Sequence, residues 1–248
     1  MKDWLHTGTP KIGTVASIAH PVIAELIRNA SFDWVWIDAE HGGFDEASAA
    51  TFCAIIQQGP KAFVRVPDKS PTTLKRYLDI GPDGIIIPQV NSLDEINDIM
   101  RWSLYPPAGE RSFGTARAHG YDGTFSSYTS ARQFSIIVQI ETAAGLHNLR
   151  EILRDGRIDG VLIGPYDLSG SLGLLGQVSN TVVQDAIRTI LGGCKSASIP
   201  CGIFAGNAEA ASLYLKQGFE FVGVGLDVSI FLESFKNLLR ETREKSGR

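Results

Sequence analysis

The sequence predicts a single (β/α)8 barrel, in which eight parallel strands close into a ring that is surrounded by helices. Three observations support this prediction. Eight short apolar segments recur along the chain, and each is followed by a stretch with helical periodicity. The segments are apolar nearly throughout, as expected for strands that are buried on both faces. The 248 residues suit one barrel domain over 1–248, although this length also fits two small domains.

The first half of the chain contains four strand–helix units. The segments IGTVASI, from Ile12, and FDWVWID, from Phe32, are rich in β-branched and aromatic residues, which favour strands. AFVRV, from Ala62, and GIIIPQV, from Gly84, predict the next two strands. The helices predicted after these strands span 20–29, 45–58 and 71–79, and a fourth begins near residue 92.

The second half repeats this pattern after one interruption. From Tyr105, the segment YPPAGERSFGTARAHGYDG contains two prolines and several glycines and predicts a long loop, which in compact domains is often functional. The last four strands begin at Ser135, Asp159, Pro200 and Phe219. The helices predicted after them span 145–154, 181–197, 208–217 and 229–245. An open doubly wound sheet is the alternative, but it usually has fewer strands, and no GxGxxG follows the first strand here.

Composition and charge exclude several classes of protein. The net charge is −4 and the 23 lysines and arginines are scattered, so the sequence predicts no basic face and no nucleic-acid partner. Three cysteines without CxxC spacing argue against a disulfide framework or a zinc site and fit a reducing compartment. The first residues carry no apolar signal region, and no apolar run approaches the ~18 residues that span a membrane. We therefore expect a soluble, cytoplasmic protein without a membrane partner.

Polar and ionisable residues gather where the predicted strands end. Because barrel enzymes place their active sites at the carboxyl ends of the strands, these residues are the candidates for chemistry. They are Asp38, Glu40 and His41 after strand two, Arg65 at the end of strand three, Gln139 and Glu141 at strand five, Gly164, Pro165, Tyr166 and Asp167 after strand six, and Phe204 at strand seven.

Glu141 and Asp167 follow neighbouring strands and predict a metal site. Two carboxylates on one rim repel each other unless a cation lies between them. Mg²⁺ and similar hard ions are typically held by one or two carboxylates together with substrate and water. The alternative is that each residue begins a helix and stabilises its dipole. Their occurrence together on adjacent strands favours the metal.

His41 and Arg65 are the candidates for proton transfer and for stabilising negative charge. Asp38 precedes His41 by three residues, and a neighbouring carboxylate can fix the tautomer of a histidine and raise its basicity. The guanidinium of Arg65 suits a carboxylate or a developing oxyanion. The alternatives are a solvent-facing loop histidine and a structural ion pair of Arg65 with Asp38 or Glu40.

No lysine falls at the carboxyl end of a predicted strand. A Schiff-base mechanism requires a desolvated lysine in the pocket. A carbonyl substrate would therefore have to be activated by a metal instead.

Five motifs carry a family resemblance that extends over nearly the whole chain. They are FDWVWIDAEHGGFD, RVPDKSPTTLKRYLDIGPDGIIIPQVNSLDE, YPPAGERSFG, VQIETAAGLHNL and IDGVLIGPYDLSGSLG. In this order they resemble the HpcH/HpaI family of class II, metal-dependent pyruvate aldolases. The resemblance implies reversible aldol cleavage of a 4-hydroxy-2-oxoacid to pyruvate and an aldehyde. It also implies a divalent metal, Mg²⁺, Mn²⁺ or Co²⁺, and a homo-oligomer, usually a hexamer with helices exchanged between subunits.

The same resemblance implies roles for individual residues. Glu141 and Asp167 match the metal ligands, and Arg65 matches the arginine that stabilises the enolate oxygen. His41, with Asp38 nearby, matches the acid–base histidine. The remaining matches concern substrate binding: Gln139 lies near the bound pyruvate, and the backbone of Gly164, Pro165, Tyr166 and Asp167 receives its carboxylate.

The chain departs from the family pattern at four positions. Ala39 stands where glycine is common, and Tyr166 stands where a small alanine is common. Val15 replaces a large aromatic residue of some relatives, and Phe204 replaces an aliphatic one. The last two positions are expected to line the aldehyde pocket. Two alternatives stay open: a CoA-ester lyase of the citrate-lyase β-subunit type, for which the chain is short and lacks a C-terminal lid domain, and a non-catalytic barrel that binds small acids.

Overall fold

The eight apolar segments form eight parallel strands that close into one barrel. The computed structural model describes residues 2–246. Each strand pairs with the next along the chain, and the eighth pairs with the first, so the predicted barrel is confirmed. The strands are β1 (Lys11–Ala16), β2 (Trp34–Asp38), β3 (Lys61–Arg65), β4 (Gly84–Ile87), β5 (Ser135–Ile140), β6 (Gly160–Ile163), β7 (Cys201–Ala205) and β8 (Phe221–Leu226). That Met1, Gly247 and Arg248 belong to the same domain stays a prediction.

Twelve α-helices are found within residues 2–246, and most of them alternate with the strands. They are α1 (Lys2–Leu5), α2 (Pro21–Asn29), α3 (Glu46–Ile56), α4 (Pro71–Asp79), α5 (Leu93–Ser103), α6 (Phe125–Ser130), α7 (Ala143–His147), α8 (Leu149–Leu153), α9 (Pro165–Ser171), α10 (Thr181–Ala197), α11 (Ala208–Gln217) and α12 (Asp227–Lys245). Five helices, α3, α4, α5, α10 and α11, begin at a side-chain cap: Asp45, Ser70, Ser92, Asn180 and Asn207 each accept a backbone N–H of the first turn. None of these helices is both long and apolar enough to cross a bilayer.

The structure differs from the sequence-based expectation in the short elements. The predicted long loop contains a 3₁₀ turn, Arg117–His119, and the helix α6, which was not predicted, follows the loop before β5. The helix predicted over 145–154 is divided at Asn148 into α7 and α8. Neither α1 nor α9 was predicted. Elements of four to seven residues are too short to show a helical period, which needs a window of about 11 residues or more.

Two apolar clusters hold the barrel together. One lies between the strands and the outer helices, and the other fills the interior of the ring. In the interior, Trp34 meets Phe63 and Phe221 edge to face, with ring centroids 6.0 and 5.7 Å apart. Gly13 leaves the space that this packing needs, because a Cβ at Gly13 would lie 2.5 Å from the Trp34 ring. The ring is therefore a packed core, and ligands are confined to its ends.

The pairing register sets residues of the rim level with one another. Asp38 pairs with Arg65 across β2 and β3. Ile140 pairs with Ile163 across β5 and β6, so that the segments after these two strands begin at the same height. Strand register thus brings together side chains that are far apart along the chain.

Candidate active site

A cavity of about 200 Å³ opens at the carboxyl ends of the strands. It is lined by Val15, Trp36, Asp38, His41, Arg65, Gln139, Gly164, Pro165, Tyr166, Asp167, Phe204 and Leu226. The site residues that the sequence predicted line this cavity, except Glu40 and Glu141. Glu141 is buried, with 1% of its surface exposed. Trp36 and Leu226 were not predicted as part of the site. Trp36 alternates with Trp34 along β2, and this pattern by itself is typical of core packing.

Asp38 and Arg65 form an ion pair at the base of the cavity. The Nε and Nη2 atoms of Arg65 donate to the two carboxylate oxygens of Asp38 at 2.9 and 2.8 Å. Glu40 adds a second carboxylate 3.2 Å from Arg65 Nε, and the guanidinium lies 4.7 Å from the Trp36 ring centroid. The side chains of Arg65 and Asp38 are 8% and 6% exposed. The ion pair that sequence analysis kept as an alternative is therefore present, and Arg65 also lines the cavity.

The ring of His41 lies beside Glu40 and is not bonded to Asp38. Its side chain is 66% exposed, and its Nε2 atom is 3.8 Å from a carboxylate oxygen of Glu40. Asp38 instead accepts the backbone N–H groups of Glu40 and His41 at 3.1 Å each. The side-chain dyad expected for His41 and Asp38 is absent from this structure because Arg65 occupies both carboxylate oxygens of Asp38. Sequence analysis missed the contact with Glu40, although both residues stand in the same Gly-rich segment.

Glu141 directly follows β5 and is held by two donors. Its Oε1 accepts the backbone N–H of Gln89 at 2.9 Å, and its Oε2 accepts the side-chain amide of Gln139. Burial first, and the nearby carboxylate of Asp167 to a smaller extent, raise the pKa of Glu141 to about 7, against the lowering effect of the Gln89 N–H. The Oε1 atom of Gln139 is buried without a hydrogen-bond partner. This part of the site thus has a carboxylate, Glu141, without a salt-bridge partner and an acceptor, Gln139 Oε1, without a donor.

The first turn of α9 brings Asp167 close to Glu141. Asp167 lies in the first turn of α9 and is exposed, whereas Gly164, just before the helix, is buried. A Cβ at Gly164 would overlap Glu141 Oε2 and lie 2.7 Å from Gln139 Nε2. Only a glycine therefore lets α9 begin this close to Glu141.

The residues present fit a divalent ion with two protein carboxylates. Asp167 raises the pKa of both Glu141 and Glu40, so these acidic groups repel one another across a common space. Within residues 2–246, no three His, Cys, Asp or Glu side chains are grouped so as to hold a metal. A site with one or two carboxylates, completed by substrate and water, is the usual arrangement for Mg²⁺.

Aromatic side chains form one wall of the cavity. The rings of Tyr166 and Phe204 have centroids 6.2 Å apart, and those of Phe204 and Trp36 are 6.4 Å apart. Val15 and Leu226 complete this wall. Phe204 is partly buried, and Tyr166 is 51% exposed at the mouth. The cavity thus has a charged half and an apolar half.

A larger cavity, of about 580 Å³, lies near the amino ends of β3 and β4. The charged side chains that line it are already paired. Lys61 bonds to Asp83 at 2.8 Å, and Arg117 donates to the carbonyl of Ile80 at 2.9 Å. The smaller cavity therefore has the chemistry of an active site, although it is not the largest.

Comparison with known proteins shows the family of this chain. The family model for HpcH/HpaI aldolase/citrate lyase matches residues 11–234. A 4-hydroxy-2-oxovalerate aldolase from Rhodococcus jostii is 36% identical over 233 residues, which are 92% of this chain and 90% of the relative. A hydroxypyruvate/pyruvate aldolase from Deinococcus radiodurans is 34% identical over 253 residues, with 99% and 90% coverage.

A solved structure agrees with the sequence relatives. An HpcH/HpaI aldolase/citrate lyase family protein from Burkholderia cenocepacia superposes with a TM-score of 0.93 at 31% identity and covers 98% of each chain. Fold and sequence similarity thus agree over most of the chain. The CoA-ester lyase alternative is not favoured, because both sequence relatives are aldolases by name. The protein belongs to the HpcH/HpaI aldolase/citrate lyase family and is an aldolase.

Proposed function

We propose that this aldolase cleaves a 4-hydroxy-2-oxoacid reversibly into pyruvate and an aldehyde, and that the reaction takes place in the cavity at the carboxyl ends of the strands. The observation that carries the proposal is that a cation, an acid–base group and two carboxylates lie together at this cavity. Arg65 supplies a fixed cation, His41 supplies an exposed acid–base group, and Glu141 with Asp167 supplies an uncompensated pair of carboxylates.

Glu141 and Asp167 are the proposed ligands of a divalent metal, Mg²⁺, Mn²⁺ or Co²⁺. When bound, such an ion supplies a Lewis acid that polarises the 2-oxo group of the substrate. Gln139 orients Glu141 through the hydrogen bond to Oε2. The backbone from Gly164 to Asp167 receives the carboxylate of the pyruvate portion.

His41 and Arg65 divide the chemistry of the remaining steps. His41 takes the proton of the C4 hydroxyl, directly or through a water molecule. The C3–C4 bond then breaks, the aldehyde leaves, and the electron pair passes to the pyruvate enolate. Arg65 stabilises the negative charge on the enolate oxygen, and Asp38 holds Arg65 in place for this role. A proton added at C3 completes pyruvate, and the reverse sequence forms the carbon–carbon bond.

We also propose a homo-oligomer, a hexamer, in which α12 packs on a neighbouring subunit. Asp227 is the one buried residue of α12, while the apolar side chains of Leu232, Phe235 and Leu238 are more than half exposed. A 19-residue helix of about 28 Å with an apolar face usually buries that face against a partner. Exposed apolar side chains on the flanking helices α2 and α11 supply a complementary surface: Val22, Leu26 and Leu213.

A retro-aldol screen tests the function. A series of 4-hydroxy-2-oxoacids is incubated with the metal-loaded protein, and pyruvate release is measured. Excess chelator should abolish release, and Mg²⁺, Mn²⁺ or Co²⁺ should restore it. His41→Ala should lower kcat by roughly 10²–10⁴-fold, the usual range for a general acid–base group, without changing metal affinity. Full activity in chelator, or trapping of a pyruvyl-lysine by borohydride, would overturn the mechanism.

A further inference from the structure

The apolar half of the cavity is shaped to receive the part of the substrate that leaves as the aldehyde. Tyr166 and Phe204 present two tilted rings with an interplanar angle of 55°. The rings of Phe204 and Trp36 are nearly perpendicular, and the guanidinium of Arg65 lies over the Trp36 ring. The wall is therefore held by packing at Phe204 and Trp36. It is open to solvent at Tyr166, which is about half exposed. A flat apolar group placed against it would cover ring surface that now faces solvent.

The charge around the cavity disfavours a second anion in its apolar half. Among the described residues that line the cavity, Arg65 carries the one permanent positive charge, and it is already bonded to Asp38 and Glu40. A divalent ion at Glu141 and Asp167 balances those two carboxylates and leaves the Asp38–Glu40–Arg65 group with an excess negative charge. An aldehyde with its own carboxylate would thus enter a site that lacks a free cation to receive it.

We propose that the aldehyde partner of this enzyme is uncharged and apolar, and that an aromatic ring stacked against Tyr166 and Phe204 fits best. This inference rests on the proposed aldol reaction and adds the class of aldehyde to it. The cavity volume of about 200 Å³ lies below the ~300 Å³ of sites for drug-sized ligands and restricts the partner to a small molecule. Benzaldehyde represents the class.

The test compares acceptors in the direction of carbon–carbon bond formation. Pyruvate and the metal-loaded enzyme are combined with benzaldehyde, with butanal, and with succinic semialdehyde, which has butanal's chain length and a terminal carboxylate. We expect kcat/KM for benzaldehyde and butanal to exceed that for succinic semialdehyde by at least 10-fold. A preference for succinic semialdehyde would overturn the inference.

Variants of the aromatic wall separate recognition from stability. Tyr166→Ala and Phe204→Leu should each reduce the preference for benzaldehyde over butanal by about 10-fold, within the range for one missing apolar contact. Tyr166→Arg adds a cation at the exposed mouth and should raise the relative use of succinic semialdehyde. Tyr121→Ala is the matched control, because Tyr121 is 69% exposed and lies outside the cavity lining. Unchanged acceptor ratios in all three cavity variants would contradict the inference.

Exchange of the methyl protons of pyruvate in D₂O distinguishes a failure of the proposed aldehyde class from a failure of the proposed aldolase function. This exchange needs the metal, Arg65 and a base, but no aldehyde. Exchange together with a preference for the charged acceptor would refute the aldehyde class and leave the proposed function intact. If neither exchange nor cleavage occurs, the proposed function itself is wrong. Binding of benzyl alcohol, monitored through the quenching of tryptophan fluorescence, gives a readout that needs no turnover. Tyr166→Ala should weaken the binding of benzyl alcohol.

Discussion

At the scale of single residues, Arg65 is oriented before any substrate arrives. Two carboxylates and the face of Trp36 surround its guanidinium, and its side chain is 8% exposed. A cation held in this way needs little reorganisation when negative charge develops on a neighbouring oxygen. This orientation depends on a buried ion pair with Asp38. If that pair is lost, Arg65 keeps one carboxylate partner, Glu40. Asp38 therefore has a structural role that the expected pairing with His41 does not describe.

Replacing Asp38 tests this role. In Asp38→Asn, we expect the free energy of unfolding to fall by about 3 kcal/mol, the lower part of the range for breaking a buried pair, since Glu40 remains. Pyruvate methyl-proton exchange should fall by about 10²-fold because Arg65 loses its orientation. Thermal unfolding at matched protein concentration and NMR in D₂O measure the two effects.

Asp185→Asn is the control, since Asp185 pairs with Arg188 at the surface, where both side chains are more than half exposed. It should change stability by less than about 1 kcal/mol. Equal stability of the two variants would show that the buried pair does not hold Arg65.

Gly164 is the second residue whose chemistry is dictated by its neighbours. Gly164→Ala places a methyl group against the carboxylate of Glu141 and the amide of Gln139. We expect Mn²⁺ affinity to fall by about 10–100-fold, as when the groups that orient a ligand are disturbed. Isothermal titration calorimetry measures it. Gly192→Ala is the control, because a Cβ there meets nothing within 4 Å and lies in the interior of α10. Unaltered Mn²⁺ affinity in Gly164→Ala would refute the proposal that the close contact between Gly164 and Glu141 is needed for metal binding.

At the scale of elements, the turn after β4 positions Glu141 through its backbone. Gln89 has a φ of +50°, and its N–H donates to Glu141. Its carbonyl accepts from Lys69 at 2.9 Å and from the side chain of Asn91 at 2.7 Å. The side chain of Gln89 is exposed. The left-handed conformation thus turns the peptide N–H towards the site, whereas the side chain is dispensable.

Two substitutions at Gln89 should therefore have opposite outcomes. Gln89→Gly keeps the N–H and relieves a left-handed conformation that costs other residues about 1 kcal/mol, so Mn²⁺ affinity should stay within about twofold of the parent. Gln89→Val places a β-branched side chain in that conformation, and both stability and Mn²⁺ affinity should fall. Calorimetric titration of the two proteins side by side decides the matter. A larger loss in the glycine variant would assign the effect to the side chain.

The elements also show how far the sequence predicts this enzyme. The eight strands were predictable because both faces of each strand are buried, which leaves a continuous apolar run. Asp38, Arg65 and Glu141 were predictable as rim residues because they end or follow such runs. The left-handed turn at Gln89 had no signal, since glutamine is not typical of that conformation. Likewise, the proximity of Glu40 to the His41 ring depends on Arg65, which comes from another strand.

At the scale of the whole molecule, the closed ring determines where reagents meet the enzyme. Its interior is filled by the cluster around Trp34 and Phe63, so that the site opens at the carboxyl ends of the strands.

Cys53, Cys194 and Cys201 are buried, and burial raises the pKa of Cys53 to about 12. These thiols should therefore fail to react with a thiol reagent at pH 8 in the native protein and react with three equivalents after denaturation.

The exposed apolar face of α12 leads to the last prediction, on assembly. Phe235 and Leu238 stand three residues apart on one face of α12 and are 65% and 66% exposed. In the proposed hexamer their burial contributes about 1.5–3 kcal/mol each. Phe235→Glu combined with Leu238→Glu should hence dissociate the oligomer, as measured by light scattering after size-exclusion chromatography. Helix content should not change, because these side chains are not part of the buried core of their own chain.

The control for assembly is Glu241→Ala, which removes an exposed charged side chain from the same helix and should leave the oligomer intact. A monomeric parent protein, or an oligomer that survives the double substitution, would contradict the packing of α12 on a neighbouring subunit. Dissociation with full pyruvate exchange would show that each barrel contains a complete site for the pyruvate half. Dissociation with loss of exchange would instead make a neighbouring subunit necessary for ordering the rim. The two outcomes separate the role of α12 in assembly from a role in catalysis, since α12 begins at Asp227, directly after Leu226 of the cavity wall.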